Sequence, residues 1–155
     1  MRMRMLDYVA MPLLVGRAKN RRAAYARAHG ALERVGAQGC AAAEWQSISD
    51  WERALVEIAQ AIAAEPRLLL VDDVTDALGI RETDELTALL RELSRETRLG
   101  VLMSVSDAQA TLWSDRIMTL SGGRLTQGPQ APSGNVIEFP DLGLPRRGAE
   151  RGSLS

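Results

Sequence analysis

Residues 47–73 read SISDWERALVEIAQAIAAEPRLLLVDD. Ser49-Asp50-Trp51-Glu52 is a capping box, in which the serine hydroxyl takes the Glu52 amide and the Glu52 carboxylate reaches back to the Ser49 amide. Leu55, Val56, Ile58, Ala59, Ala61, Ile62 and Ala63 then leave the helix apolar almost all round, which predicts burial. Glu65-Pro66 stops it, because proline disfavours helical backbone in the residue before it. LLLV at 68–71 is a continuous apolar run, the habit of a parallel strand covered on both faces. Asp72 and Asp73 close the stretch.

Further elements lie on either side. LDYVAMPLLV (6–15) is mostly apolar, and Pro12 is expected to break any continuous helix there. From about Lys19 to Val35, the residues Ala24, Ala28, Ala31, Leu32 and Val35 fall at helical spacing with arginines opposite, and Gly36 and Gly39 end the run. His29 reads as a surface residue with no second ligand type nearby to hold a metal. Downstream, Leu86, Leu89, Leu90 and Leu93 mark an amphipathic helix opened near Thr83. GVLMSV (100–105) is a second buried strand, and Ser106-Asp107-Ala108-Gln109 is another capping box opening a short helix through Trp113. RIMTL (116–120), the turn Ser121-Gly122-Gly123 and RLTQ (124–127) read as a hairpin. Strand–helix–strand alternation behind an α-rich front makes the class α/β.

Three regions follow: a helical subdomain over 1–65, a core of strands and helices over 66–128, and a tail over 129–155. The tail is rich in Pro, Gly and charge and is expected to be disordered, with NVIEFP as a docking peptide the sharper alternative.

A chain of 155 residues, 46% hydrophobic and 25% charged, has the composition of a soluble domain with a real core. Its net charge of -1 points to no nucleic acid. The sign is uneven: residues 1–39 hold 8 of the 19 basic and 2 of the 20 acidic groups. That basic front suits an acidic protein surface, lipid headgroups or a solvated helix face. The single cysteine, Cys40, has no internal partner and fits a buried side chain in a reducing compartment. MRMRMLDYVAMPLLVGR is too polar, and its apolar run too short, for a signal peptide or membrane span. The expected location is the cytoplasm, at the inner face of a membrane only through a partner.

The order of elements from Leu6 to Gly128 resembles the ATP-binding cassette, the nucleotide-binding domain of ABC transporters. LDYVAMPLLVG is similar to the segment after the Q-loop in cassettes of the lipoprotein-release and macrolide-export type. The helix at 53–64 with EPRLLLVDD resembles the signature helix running into the Walker B strand. VLMSVSD (101–107) resembles the strand that carries the switch histidine, and DRIMTLSGGRLTQG (115–128) the closing hairpin. The implied fold is a partial P-loop NTPase core with an α-helical subdomain in front and the phosphate-loop strand missing. LSGGR at 120–124 almost spells the family's signature string, but it lies between two strands and opens no helix. Glycines in a hairpin turn explain it.

The resemblance puts the signature at Ile48-Ser49-Asp50-Trp51-Glu52, where family glycine amides meet a γ-phosphate at a helix N-terminus. Only the serine remains. Asp50 and Glu52 supply negative charge themselves, and each close like-charge pair with a triphosphate would cost about 1–4 kcal/mol. Trp51 adds bulk where backbone must approach closely. Asp72 matches the Walker B aspartate that orders magnesium through water. Asp73 stands at the catalytic glutamate position, one methylene shorter, followed by Val74 in place of proline. The D-loop reads Asp76-Ala77-Leu78-Gly79, without the family's first serine and last aspartate. Ser106 falls at the switch histidine and cannot act as a titratable donor. No G-x-x-x-x-G-K-[ST] occurs in these residues, and the only lysine is Lys19.

Three functional expectations result. The first is a catalytically dead cassette-like subunit that binds no cofactor alone and scaffolds or regulates a transporter, with an intact ABC ATPase subunit or a membrane permease as partner. The second is an ATPase completed in trans, binding Mg-ATP once another chain supplies the phosphate loop. The third is a gene remnant without a function.

Overall fold

The computed structural model describes residues 3–15, 20–72, 74–105 and 114–127. It divides into two compact units, one ending at Ser114 and the other beginning at Asp115.

In the first unit, three helices form the front: α1 (Met5–Val15), α2 (Arg21–Arg34) and α3 (Asp50–Ile62). Pro12 lies inside α1 and does not break it, contrary to the sequence expectation. A helical proline leaves the carbonyl four residues earlier without its donor, here that of Tyr8. The side-chain amide of Gln60 on α3 donates to this oxygen at 2.8 Å. A tertiary contact thus replaces the bond that proline removed, and it ties α1 to α3.

Asn20 caps α2, its side chain accepting the amide of Ala23 at 3.3 Å. The helix ends in a Schellman motif: Ala37 N–H donates to Leu32 at 2.8 Å and Gly36 N–H to Glu33 at 3.0 Å. The motif needs a left-handed residue at Gly36, whose φ is +75°. Gly39 lies beyond it, in the short 3₁₀ turn Gln38–Cys40. Ala24, Ala28, Ala31 and Leu32 are buried as their spacing implied, and His29 is exposed.

After α3, Glu65 adopts a left-handed conformation and Pro66 leads into strand β1 (Leu68–Val71). Helix α4 (Ile80–Thr97) starts three residues before the expected Thr83. Glu82 turns back to accept the Gly79 amide at 3.0 Å, so a glycine N-cap that lacks a side chain is satisfied by its third residue. Strand β2 (Gly100–Met103) pairs with β1 in parallel, Leu68 opposite Gly100 and Val71 opposite Met103.

One buried cluster joins α1, α2, α3, β1 and α4, with Met5, Val9, Leu32, Val56 and Leu86 fully enclosed. Leu69 and Val71 point into it, but Leu68, Leu70 and Leu102 do not. They are 44%, 65% and 64% exposed. The expectation that β1 is covered on both faces is therefore corrected. Strand side chains alternate, and the helices cover only the Leu69–Val71 face.

In the second unit, β3 (Met118–Ser121) and β4 (Arg124–Gln127) form an antiparallel hairpin. Gly122 and Gly123 both have positive φ, +55° and +75°, as a two-residue turn matched to strand twist requires. The signature-like string LSGGR is thus a hairpin tip. The tail over 129–155 and the short helix expected after Ser106 lie outside the described residues.

Candidate functional site

The N-terminus of α3 holds the residues that the resemblance puts at the signature position. Ser49 is the N-cap and has extended backbone, which aims its hydroxyl at the first turn. The Glu52 amide donates to Ser49 Oγ at 3.2 Å, and the Ser49 amide donates to Glu52 Oε2 at 2.8 Å. Ser49 Oγ–H also donates to Oε2, at 3.0 Å. The other carboxylate oxygen, Oε1, accepts from the Cys40 thiol at 3.4 Å. These donors hold the Glu52 carboxyl below the ordinary carboxylate range, the Ser49 amide first, then its hydroxyl, then the thiol. Glu52 is therefore ionised at neutral pH and lies within the positive end of the helix dipole.

Asp50 is also exposed, but its charge is matched. Arg53 Nη1 lies 2.7 Å from Asp50 Oδ1, and Arg53 Nε donates to the Trp45 carbonyl at 3.3 Å. The same guanidinium sits over the Trp45 ring at 5.8 Å, and that ring packs on Tyr8 at 5.3 Å. A continuous stack thus links α1, the 3₁₀ turn Trp45–Ser47 and the first turn of α3. Trp51 is half-buried against the core. Of the two carboxylates, Glu52 is the one held by neutral donors, so it sets the charge at the helix end.

A second group sits at the carboxyl end of β1. Asp72 is exposed, and Ser104, just after β2, donates to its Oδ1 at 2.5 Å. The Ser104 amide extends the ladder to the Val71 carbonyl at 2.9 Å. Asp73 and Ser106 lie outside the described residues. Among the described residues, no three His, Cys, Asp or Glu side chains converge as a metal site. No described helix is long and apolar enough to cross a membrane.

Sequence reasoning found the capping box and Asp72 but missed Ser104, Cys40, Trp45 and Arg53. Ser104 was legible in principle, since strand pairing in register puts it opposite Asp72. The Cys40–Glu52 contact carried no local signal, because the two lie 12 positions apart along the chain.

Comparison with known proteins agrees with this architecture. No protein-family model matches. The lipoprotein-releasing system ATP-binding protein LolD of Pseudomonas syringae pv. tomato is 37% identical over 122 residues, which is 79% of this chain and 53% of that protein. The methionine import ATP-binding protein MetN of Rhizobium etli is 37% identical over 123 residues, 78% of this chain and 34% of that protein. The chain is homologous to ATP-binding proteins of ABC transporters.

Solved cassettes share its fold. A metal-chelate type ABC transporter in an inward-facing conformation superposes with a TM-score of 0.74 at 27% identity, over 81% of this chain and 52% of that one. A dimeric cassette bound to ADP and phosphate superposes with a TM-score of 0.68 at 25% identity, over 81% and 56%. The fold is that of an ABC-type P-loop NTPase domain, in part. The chain spans about half the length, or less, of the relatives it matches.

Proposed function

We propose that this ABC-cassette homologue is a non-catalytic subunit that scaffolds or regulates a transporter complex, without binding Mg-ATP through its own α3 N-terminus. One observation carries the reading: an ionised Glu52 already accepts the Ser49 amide at 2.8 Å, at the helix end where a phosphate would need free N–H donors. A phosphate arriving there would meet a carboxylate and would have to displace the capping bonds. The α3 terminus therefore does not fit a nucleotide. Its partners on this reading are an intact ABC ATPase subunit or a membrane permease, which would hold it at the cytoplasmic face of the membrane.

Asp72 favours a second reading, an ATPase completed in trans. Its carboxylate is exposed and oriented by Ser104, an arrangement suited to holding a magnesium ion through water. Calorimetry with Mg-ATP separates the two. The first reading expects no saturable binding to the chain alone, and none in a mixture beyond what LolD-type subunits show by themselves. Nucleotide-dependent association and hydrolysis that appear on mixing, and disappear with Asp72→Ala, would replace it with the second.

A further inference from the structure

A cavity of about 380 Å³ opens where the C-terminal ends of α2, α3 and α4 meet the N-terminal ends of β1 and β2. Buried Ile62, Leu93 and Leu99 form its apolar floor, and Arg34, Arg67 and Arg98 stand around it. The Gly100 amide donates to the Arg67 carbonyl at 3.0 Å, which fixes the α3–β1 turn beside the α4–β2 turn. The volume falls within the roughly 300–1,000 Å³ of small-ligand sites. From residue 67 to Asp72 the chain advances about 16 Å at ~3.3 Å per residue, so the cavity and Asp72 lie at opposite ends of β1.

The charges around the cavity are not equally committed. Arg34 Nη2 lies 3.8 Å from Glu96, and Glu65 is paired with Arg27 at 3.4 Å. Among the described residues, no carboxylate lies within ion-pair distance of Arg67 or Arg98. A helix C-terminus carries about half a negative charge, so the ends of α3 and α4 together offset one of these two guanidinia. The other is a surplus cation. The backbone agrees. Glu65 and Arg98, at φ +53° and +55°, are the non-glycine residues with positive φ among those described, and both line this cavity. Glycine would hold either turn without strain, and strained backbone of this kind gathers where a side chain is needed for contact.

We propose that the cavity binds a small monocarboxylate with an apolar body, its carboxylate gripped by Arg67 and Arg98 and its body laid on Ile62, Leu93 and Leu99. Guanidinium N–H groups match a carboxylate as a fork, and one surplus positive charge matches one negative. A phosphate monoester fits less well, because its second charge would face Glu65 and the carbonyl ends of the helices. The cavity lies at the opposite end of α3 from Ser49 and Glu52, so the proposal does not rest on the reading of that cap.

The test is an NMR titration of the whole chain with phenylbutyrate at neutral pH. Acetate, which lacks the body, phenylbutanol, which lacks the charge, and phenyl phosphate are titrated beside it. Phenylbutyrate should saturate with a Kd in the low millimolar range or tighter, moving the Arg67, Arg98 and Leu99 amides. Acetate and phenylbutanol should bind at least ~10-fold more weakly. Arg67→Gln and Arg98→Gly should each weaken phenylbutyrate binding about tenfold, whereas Arg22→Gln, at the far end of α2, should leave it unchanged. Arg98→Gly should also melt at a higher temperature, so its lost affinity is not lost folding. No saturation below ~10 mM, acetate or phenylbutanol binding as tightly, tighter binding of phenyl phosphate, or full affinity in both arginine variants would each overturn the proposal. None of these outcomes depends on whether the lone chain binds Mg-ATP at α3.

Discussion

Replacing Gln60 with methionine removes the side-chain donor to the Tyr8 carbonyl, while keeping the length of the side chain. The bond is 2.8 Å long and part-buried, and its acceptor lost the ordinary α-helical donor to Pro12. Leaving such a group unpaired costs about 1–3 kcal/mol, and the half-buried setting puts Gln60→Met in the lower half of that range. Pro12→Ala restores an N–H aimed at the same oxygen, so in that background Gln60→Met should cost under ~0.5 kcal/mol, a coupling of about 1 kcal/mol. Pro12→Ala alone should stabilise by less than the ~3 kcal/mol of an uncompensated helical proline, since Gln60 already offsets part of the loss. Urea denaturation of the four proteins, fitted with a common slope, measures the cycle. Equal costs of Gln60→Met in both backgrounds would show that the glutamine does not stand in for the missing amide.

Ser49→Ala should destabilise the first unit by about 1 kcal/mol, seen as a lower urea midpoint, because it deletes the N-cap acceptor for Glu52 N–H. Since the folded Glu52 carboxyl is held below its ordinary value, its stabilisation is complete above pH ~4.5 and lost as pH falls through the depressed folded value. Glu52→Gln should flatten that limb of the acid denaturation curve. Arg98 caps α4 at φ +55°, so Arg98→Gly should raise stability by about 1 kcal/mol in thermal melts. Gly123→Val should speed amide exchange throughout the 118–127 hairpin, because φ of +75° costs a branched side chain about 1–2 kcal/mol.

The stretch from Ser49 to Asp72 was readable because its signals are local. A capping box, a Glu-Pro stop and an apolar run each act within a few residues, and the structure keeps the cap, the stop and the strand they mark, whereas α3, expected to be apolar almost all round, has an exposed face that includes Ala61. The hairpin was readable for the same reason, since two glycines flanked by strand-forming residues define their own turn. Pro12 was misread because its compensation comes from Gln60, 48 positions along the chain, where no local rule looks. The double cover of β1 was misread because LLLV gives the same pattern whether or not a second layer is present. At the candidate site, Glu52 as the ligand of Ser49 was legible, whereas the Cys40 thiol and the Ser104 hydroxyl became partners only through packing. The start of α4 moved to Ile80 because Glu82 caps a glycine, a combination with no side chain at the cap to signal it.

At the N-terminus of α3 the Ser49 amide is taken by the Glu52 carboxylate and the Glu52 amide by the Ser49 hydroxyl, and the proposed reading is that this charged cap excludes a triphosphate. Amide chemical shifts of Ser49, Asp50, Trp51 and Glu52, followed by NMR as Mg-ATP is titrated into the lone chain, test this directly. These four resonances should stay fixed into the millimolar range. Saturable movement of the Ser49 and Asp50 amides at micromolar nucleotide would contradict it.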